Sequence, residues 1–145
     1  MTDKQAAAKD WLNRNFNAYK EVRALKLKLR EMRAGAGNLT SRAEEVKVQK
    51  QPNPKAYENE IISIIEFAKL IDEKEKRIFA SDLETANTIN KLEDVKEKTI
   101  LIYRYLCFLP WEQIANRMNF SVNYCQELHM RALDHVYEQI NFTTT

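Results

Sequence analysis

Glycine and proline are scarce in this chain, and long apolar runs are absent from it. Only two of the 145 residues are glycine and three are proline, which are too few for the many turns of a sheet-rich fold. No amino-terminal stretch resembles a signal peptide, and no apolar run approaches the length of a membrane span. We therefore expect an all-α protein that stays in the cytoplasm and makes no membrane contact.

Cysteine is equally rare. Cys107 and Cys125 are too few for a disulfide framework, and both fall in apolar helical patterns, so we expect buried, reduced thiols. Cys125 and His129 have the spacing of two metal ligands on one helix face, but no second ligand pair accompanies them. A buried thiol beside a partly exposed imidazole, with no metal, is the expected arrangement.

The usual signatures of enzymes are missing too. The sequence has no glycine-rich phosphate loop, no Walker lysine, no HExxH and no CxxC. His129 with Cys107 or Cys125 would give a nucleophile and a base, but neither a third orienting residue nor an oxyanion loop is evident. We expect no catalytic activity and no cofactor.

Charge is distributed unevenly along the chain. Residues Met1 to Ala34 hold nine Lys or Arg and four Asp or Glu, a net charge of +5. Residues Leu92 to Thr145 hold five basic and seven acidic residues, a net charge of −2. The positive end is thus the amino terminus. This distribution argues against a carboxy-terminal segment that binds DNA strongly by itself.

The first ninety residues predict two long amphipathic helices, because apolar side chains recur there at every third or fourth position. The first helix spans Ala6 to Arg33 and ends at Gly35 and Gly37, and the second begins near Pro54 and persists to about Asn90. A flexible loop at about residues 35–54 separates them. The apolar seams comprise Trp11, Asn15, Ala18, Val22, Leu25, Leu29 and Met32 in the first helix, and Tyr57, Ile61, Ile64, Ala68, Ile71 and Ile78 in the second, broadened by Ile62, Ile65, Phe67 and Leu70.

Two matching seams fit either an antiparallel helical hairpin or a pairing between two subunits. The opposite face of the first helix is basic, and it carries Lys20, Arg23, Lys26, Lys28, Arg30 and Arg33. Such a face is most simply a solvated surface, and the alternatives are contact with a phosphate backbone and then contact with an acidic protein partner.

The segment from Leu109 to Val136 predicts a helix-turn-helix. Pro110 fits the first turn of a helix that ends near Met118. Asn119 suits the sharp turn, because asparagine accepts the left-handed backbone conformation cheaply. Ser121 is the expected cap of the second helix. A preceding helix over residues 92–108 would complete a small core with the side chains of Val95, Thr99, Ile102, Tyr103 and Leu106.

Helical spacing leaves a largely polar outer face on the second of these helices. In a DNA-binding module this face enters the major groove. Asn123 and Gln126 suit bidentate contact with adenine, and Glu127 can accept a hydrogen bond from cytosine. Arg117 and Arg131 would flank a phosphate held at Ser121. The complete set of candidate DNA-binding residues is Ser121, Val122, Asn123, Tyr124, Gln126, Glu127, Met130, Arg131 and Arg117.

The sequence LEDVKEKTILIYRYL, followed by WEQIANRMNFS and then LHMRAL, resembles region 4 of bacterial sigma-70 factors. It is similar to the small phage proteins of the ArpU and RinA type, which regulate late transcription. The resemblance covers about the last third of the chain. It implies an activator that binds double-stranded DNA and contacts host RNA polymerase, with Val122, Asn123, Gln126 and Glu127 at the DNA. Val122 and Gln126 stand where sigma factors have arginine.

We thus predict two regions. Residues 1–91 form a coiled-coil part that suits homo-oligomerisation, and residues 92–145 form the DNA-binding module. A rival hypothesis from another class is a protein-interaction factor that binds RNA polymerase, a repressor or another phage protein without touching DNA.

Overall fold

The structure is a computed structural model that describes the backbone of residues 1–45 and 54–143 and the side chains of residues 1–36 and 54–141. Throughout these ranges it contains helices and no strand, which confirms the predicted all-α class. The helices are α1 (Asp3–Leu12), α2 (Phe16–Glu45), α3 (Pro54–Asn90), α4 (Val95–Leu101), α5 (Trp111–Met118) and α6 (Val122–Thr143). A π-helical turn, Ile102–Leu106, continues α4.

The prediction of a single helix over Ala6 to Arg33 is wrong, because the helix is interrupted between the end of α1 and the start of α2. The first helix starts at a capping box in which the Thr2 hydroxyl accepts from the Gln5 amide at 3.1 Å. At its end, the Arg14 guanidinium donates to the carbonyl of Trp11 at 2.8 Å. That bond satisfies a carbonyl that the end of the helix leaves without an intrahelical partner.

Helix α2 continues past the two glycines that were expected to end it. Residues 35–45 are helical, so the first part of the predicted loop at about 35–54 is wrong, and residues 46–53 lie outside the described residues. Glycine costs a helix only about 1 kcal/mol relative to alanine, which packing readily offsets. A Cβ added at Gly35 would meet Glu60 Oε1 at 3.6 Å, an ordinary contact.

The chain divides into two packing units. Residues Ala18–Ile78 form one, and residues Met1–Asn17 together with Phe79–Thr145 form the other. The predicted division between residues 91 and 92 does not follow these units. Helix α1 and the end of α3 pack with the carboxy-terminal helices.

In the unit Ala18–Ile78, the seams of α2 and α3 pack on each other as a two-helix core. Val22, Leu29 and Ile71 are buried there, and Leu25, Ile64, Phe67, Ala68 and Ile78 are partly buried against them. Salt bridges Lys26–Glu75 (3.0 Å) and Lys74–Glu21 (2.7 Å) join the same helices. Ile62, Ile65 and Leu70, which were expected to broaden the seam, are exposed.

The other unit contains two apolar clusters. The first core cluster takes side chains from α1, α3, α4, the π-helical turn and α6, and it consists of Ala8, Leu12, Ile89, Leu92, Leu101, Tyr105, Ala132, Leu133 and Val136. The second core cluster lies among α4, α5 and α6, and it consists of Ile100, Ile114, Ala115, Cys125 and Leu128. Together they hold the carboxy-terminal helices in place.

The inward face of α4 differs from the predicted one. Val95 and Ile102 were expected to pack inward, but they are 71% and 39% exposed, whereas Ile100 and Leu101 are fully buried. The helix begins only after Asp94, whose carboxylate caps it by accepting from the Lys96 amide at 2.8 Å. The π-helical turn that follows changes the angular spacing of the side chains, so a single helical period cannot describe the segment.

Candidate nucleic-acid interface

Helices α5 and α6 are joined by a sharp three-residue turn. Pro110 precedes α5 as its N-cap, so the helix starts one residue later than expected. Asn119 has φ 58° and ψ 41°, the left-handed conformation that was predicted for it. The amides of Asn119 and Phe120 both donate to the carbonyl of Ala115, closing the turn. The small, buried Ala115 lies in the second core cluster with Ile114, where the turn folds back on α5.

The predicted cap of α6 is present. The Ser121 hydroxyl accepts from the Tyr124 amide at 3.1 Å, and its carbonyl accepts from Cys125. Because this hydroxyl accepts a hydrogen bond from an amide of the first turn that has no partner within the helix, it fixes the start of the helix. The polar side chains of the first two turns that follow, Asn123, Gln126 and Glu127, are exposed, while the neighbouring Cys125 and Leu128 are buried.

Three of the candidate residues are not free on the outer face. Val122 and Tyr124 are half-buried and pack on the second core cluster, and the Tyr124 ring lies edge-on to Phe120 at 4.9 Å. Met130 is half-buried against the first core cluster. The apolar stripe of α6 is therefore wider than its helical period suggested, because both α1 and α5 pack on this helix.

Helix α1 limits the exposed face of α6. The Gln5 side-chain amide donates to the carbonyl of Met130 at 3.3 Å and to Asp134 Oδ2 at 3.2 Å. Gln5 itself is buried. Helix α1 thus engages the Met130 carbonyl and Asp134 in the third and fourth turns of α6, while Arg131 beside them stays exposed.

Four cations lie in and around this face. Arg117 in the last turn of α5 and Arg131 on α6 are exposed, as a phosphate contact requires. Lys96 was not among the predicted contacts, but its ammonium lies 5.6 Å from the centre of the Phe120 ring and therefore beside the turn. Arg104 is engaged within the protein: it donates to the carbonyl of Leu109 at 3.0 Å and stacks 4.8 Å from the Trp111 ring.

His129 is buried, which corrects the expectation of a partly exposed imidazole. Only 5% of the residue is exposed, and its Nε2 atom is hydrogen-bonded to the hydroxyl of Tyr105. Trp111 lies edge-on to the ring at 4.9 Å. Burial, with the nearby positive charges of Lys9 and Arg104, lowers the pKa of His129 to about 4. Through the hydrogen bond to Tyr105 and the contact with Trp111, the neutral ring joins α6 to the π-helical turn and α5.

The two cysteines differ from each other. Cys125 is fully buried, as expected, and burial raises the pKa of its thiol, which disfavours the thiolate that a nucleophile or a metal ligand needs. Cys107 is exposed, contrary to expectation. Among the residues whose side chains are described, no group of three or more His, Cys, Asp or Glu has the arrangement of a metal site.

A second histidine, His135 of α6, contacts α4 in the same unit. His135 Nδ1 lies 2.7 Å from Glu97 Oε2, and the Glu97 side chain is only 4% exposed. The hydrogen bond to this carboxylate raises the pKa of His135. The pair joins the first turn of α4 to α6.

The chain matches no family model, no curated protein and no solved structure. None of the helices in the described residues is long and apolar enough to cross a membrane.

Proposed function

We propose that this protein is a DNA-binding transcription regulator of the phage late-activator type, which reads the major groove with the first two turns of α6. The proposal rests mainly on three exposed polar side chains, Asn123, Gln126 and Glu127. They directly follow the turn in which Asn119 has the left-handed conformation. Amide and carboxylate side chains are the groups that distinguish base edges in the major groove. A rigid helix that projects them supports this use.

Phosphate contacts would come from the residues around the turn. Arg117, Arg131 and Lys96 carry the charge, and the exposed Ser121 stands at the start of α6. Half-buried Val122, Tyr124 and Met130 position the helix and contribute the apolar part of the contact. Phosphate contacts fix the register of the helix on the duplex, and the base contacts supply specificity.

The proposal extends to partners. By resemblance to sigma-70 region 4 and to the ArpU and RinA proteins, the partners are double-stranded DNA and host RNA polymerase, in the cytoplasm of the host cell. Homo-oligomerisation through the long helices is favoured by Leu27, Ile62, Ile65 and Leu70, which are apolar and exposed in the unit Ala18–Ile78. Two copies would raise the affinity of a module whose own net charge is −2.

A protein-interaction factor is the second candidate function. The exposed Val95 on α4 and Ile102 on the π-helical turn favour it, because a protein partner that covered them would remove their apolar surface from water. RNA polymerase, a repressor or another phage protein would be its partner. Salt separates the two functions, since binding through phosphates weakens steeply with salt and an apolar interface does not.

The decisive experiment selects binding sites from a pool of random duplexes and then measures the affinity of variants for the selected site. Asn123→Ala and Gln126→Ala should each weaken binding to that site by about 1–3 kcal/mol. Each should leave the weaker binding to unrelated duplexes nearly unchanged, because that binding depends on phosphate contacts.

Asn59→Ala is the matched control, because it removes an exposed amide from α3. Its affinity for the selected site should equal that of the unmodified protein. If Asn123→Ala and Gln126→Ala also bind like the control, α6 does not read the groove, and the proposed function fails.

A further inference from the structure

Helix α2 carries four cations along one face within the unit Ala18–Ile78. Arg23, Lys26, Arg30 and Arg33 follow one another at intervals of three, four and three residues, and all four are exposed. This spacing aligns side chains along one side of a helix. The set, called here the α2 basic stripe, extends over about 15 Å at 1.5 Å per residue.

Most of the charge in the α2 basic stripe is not neutralised by the protein. Lys26 forms a salt bridge with Glu75 at 3.0 Å, and the Arg23 guanidinium lies 6.0 Å from the Tyr19 ring. Arg30 and Arg33 form no ion pair and no hydrogen bond with the side chains that the structure describes. Two guanidinium groups are therefore available for a partner.

The nearby acidic groups of α3 do not neutralise the two arginines. Asp72 and Glu75 line the same groove as Arg30 and Arg33. However, Asp72 is paired with Lys76 at 3.0 Å and Glu75 with Lys26. Their charges are already matched, so the arginines still attract an anionic partner.

We propose that the α2 basic stripe is a second DNA contact, which holds the phosphate backbone without regard to sequence. This inference rests on the proposed function of α6. Guanidinium groups bind phosphate oxygens in a bidentate manner. Each strand of DNA presents a phosphate about every 3.4 Å along the axis, so about 15 Å of helix can run beside roughly four phosphates. The stripe supplies the positive charge that residues Leu92 to Thr145, with a net charge of −2, lack.

The test compares two triple variants of the full-length chain. One removes the three arginines of the stripe, Arg23→Gln, Arg30→Gln and Arg33→Gln. The matched control removes three exposed charges of the same unit that lie outside the stripe, Lys28→Gln, Lys69→Gln and Arg77→Gln. Lys28 is on α2 but only two residues from both Lys26 and Arg30, a spacing that does not place side chains on one helix face. Glutamine has nearly the helix propensity of arginine and lysine, so both variants should keep the melting temperature of the unmodified protein.

Affinity for a short random-sequence duplex is then measured from about 50 to 200 mM salt. The slope of log affinity against log salt should fall in magnitude by about 2–3 for the stripe variant, because each phosphate contact contributes about 0.9. The control variant should change the slope by much less. Equal slopes in the two triple variants, or an unchanged slope in the stripe variant, would overturn the proposal in favour of a solvated face or an acidic protein partner.

The two proposals fail in distinguishable ways. If the unmodified protein binds no duplex, the function of α6 fails, and the stripe proposal fails with it. If the protein binds its selected site through Asn123 and Gln126 while the stripe variant keeps its slope, only the stripe proposal fails. If the stripe variant binds all duplexes more weakly by the same factor and still prefers the selected site, the stripe proposal and the proposed function of α6 are both supported.

Discussion

His129 is a residue whose protonation state is coupled to folding. In the folded protein the ring is neutral because burial and the charges of Lys9 and Arg104 hold its pKa at about 4. In the unfolded chain the pKa returns to about 6.5. Between these two values the unfolded chain binds a proton that the folded chain does not bind. Stability must therefore fall as the pH falls through this window.

We expect the free energy of unfolding of the unmodified protein to decline from about pH 6.5 toward pH 4 more steeply than that of His129→Gln, which cannot titrate. The variant should be less stable near neutral pH, because the Tyr105 hydroxyl loses its partner. Urea denaturation at a series of pH values measures both effects. Parallel curves for the two proteins below about pH 6.5 would contradict this account.

His135→Gln provides the control, since the pKa of His135 is raised rather than lowered. The contribution of His135 to the free energy of unfolding is fully present below the pKa of the unfolded chain, about 6.5. It is lost as the pH rises through the raised pKa that His135 has in the folded protein. The control should therefore alter the pH dependence above about 6.5 and leave the decline below it unchanged. The two histidines thus act in separate pH windows.

The sequence predicted single residues well where helical spacing alone decides their exposure. Asn123, Gln126 and Glu127 are exposed as expected, since they fall between the buried positions of α6. Gln5 and Lys96 were missed, because their contacts join residues far apart in sequence. Gln5 and Met130, for example, are 125 positions apart. No periodic pattern within one helix contains such information.

At the scale of elements, boundaries were predicted where a side chain enforces them. Helix α3 starts at Pro54 and ends at Asn90, and Asn119 ends α5, as expected. The break after Leu12 was missed because the hydrophobic period continues through it. The glycines of α2 misled the prediction, since glycine permits a helix end without requiring one.

The turn at Asn119 allows a direct test of its backbone conformation. Asn119→Ala should reduce the free energy of unfolding by about 1–2 kcal/mol, because a Cβ-bearing residue without a hydrogen-bonding side chain is strained at φ 58°. Asn119→Gly should be close to neutral. Chemical denaturation of both variants measures the difference. Asn116→Ala, an exposed helical site on α5, is the control and should change stability by less than about 0.5 kcal/mol.

An Asn119→Ala variant as stable as Asn116→Ala would show that the turn is not held in the left-handed region. The conformation also bears on the proposed function. It sets the direction in which α6 leaves the turn, and hence the direction in which Asn123 and Gln126 project.

At the scale of the molecule, the predicted boundary at residue 92 does not coincide with the boundaries of the packing units. Ala8 and Leu12 of α1 and Ile89 of α3 are buried in the same cluster as Leu133 and Val136 of α6. The residue pattern of a segment reflects only its local helices and turn. The core of a small helical unit is completed by whichever distant helices cover its apolar face, and that choice is not encoded in the segment itself.

A fragment of residues 92–145 should therefore not fold as an independent domain. Without α1 and the end of α3, the first core cluster loses Ala8, Leu12 and Ile89, and removal of a single large core side chain already costs about 2–5 kcal/mol. That loss is comparable to the whole stability of a small domain. We expect the fragment to melt without a cooperative transition.

A chain in which residues 79–145 are followed by a flexible linker and residues 1–17 should melt cooperatively, because it restores every member of the cluster. Thermal unfolding followed by near-ultraviolet circular dichroism distinguishes the two. A cooperative transition of the short fragment at the temperature of the full chain would show that α1 and α3 are dispensable, and that the boundary at residue 92 is physical.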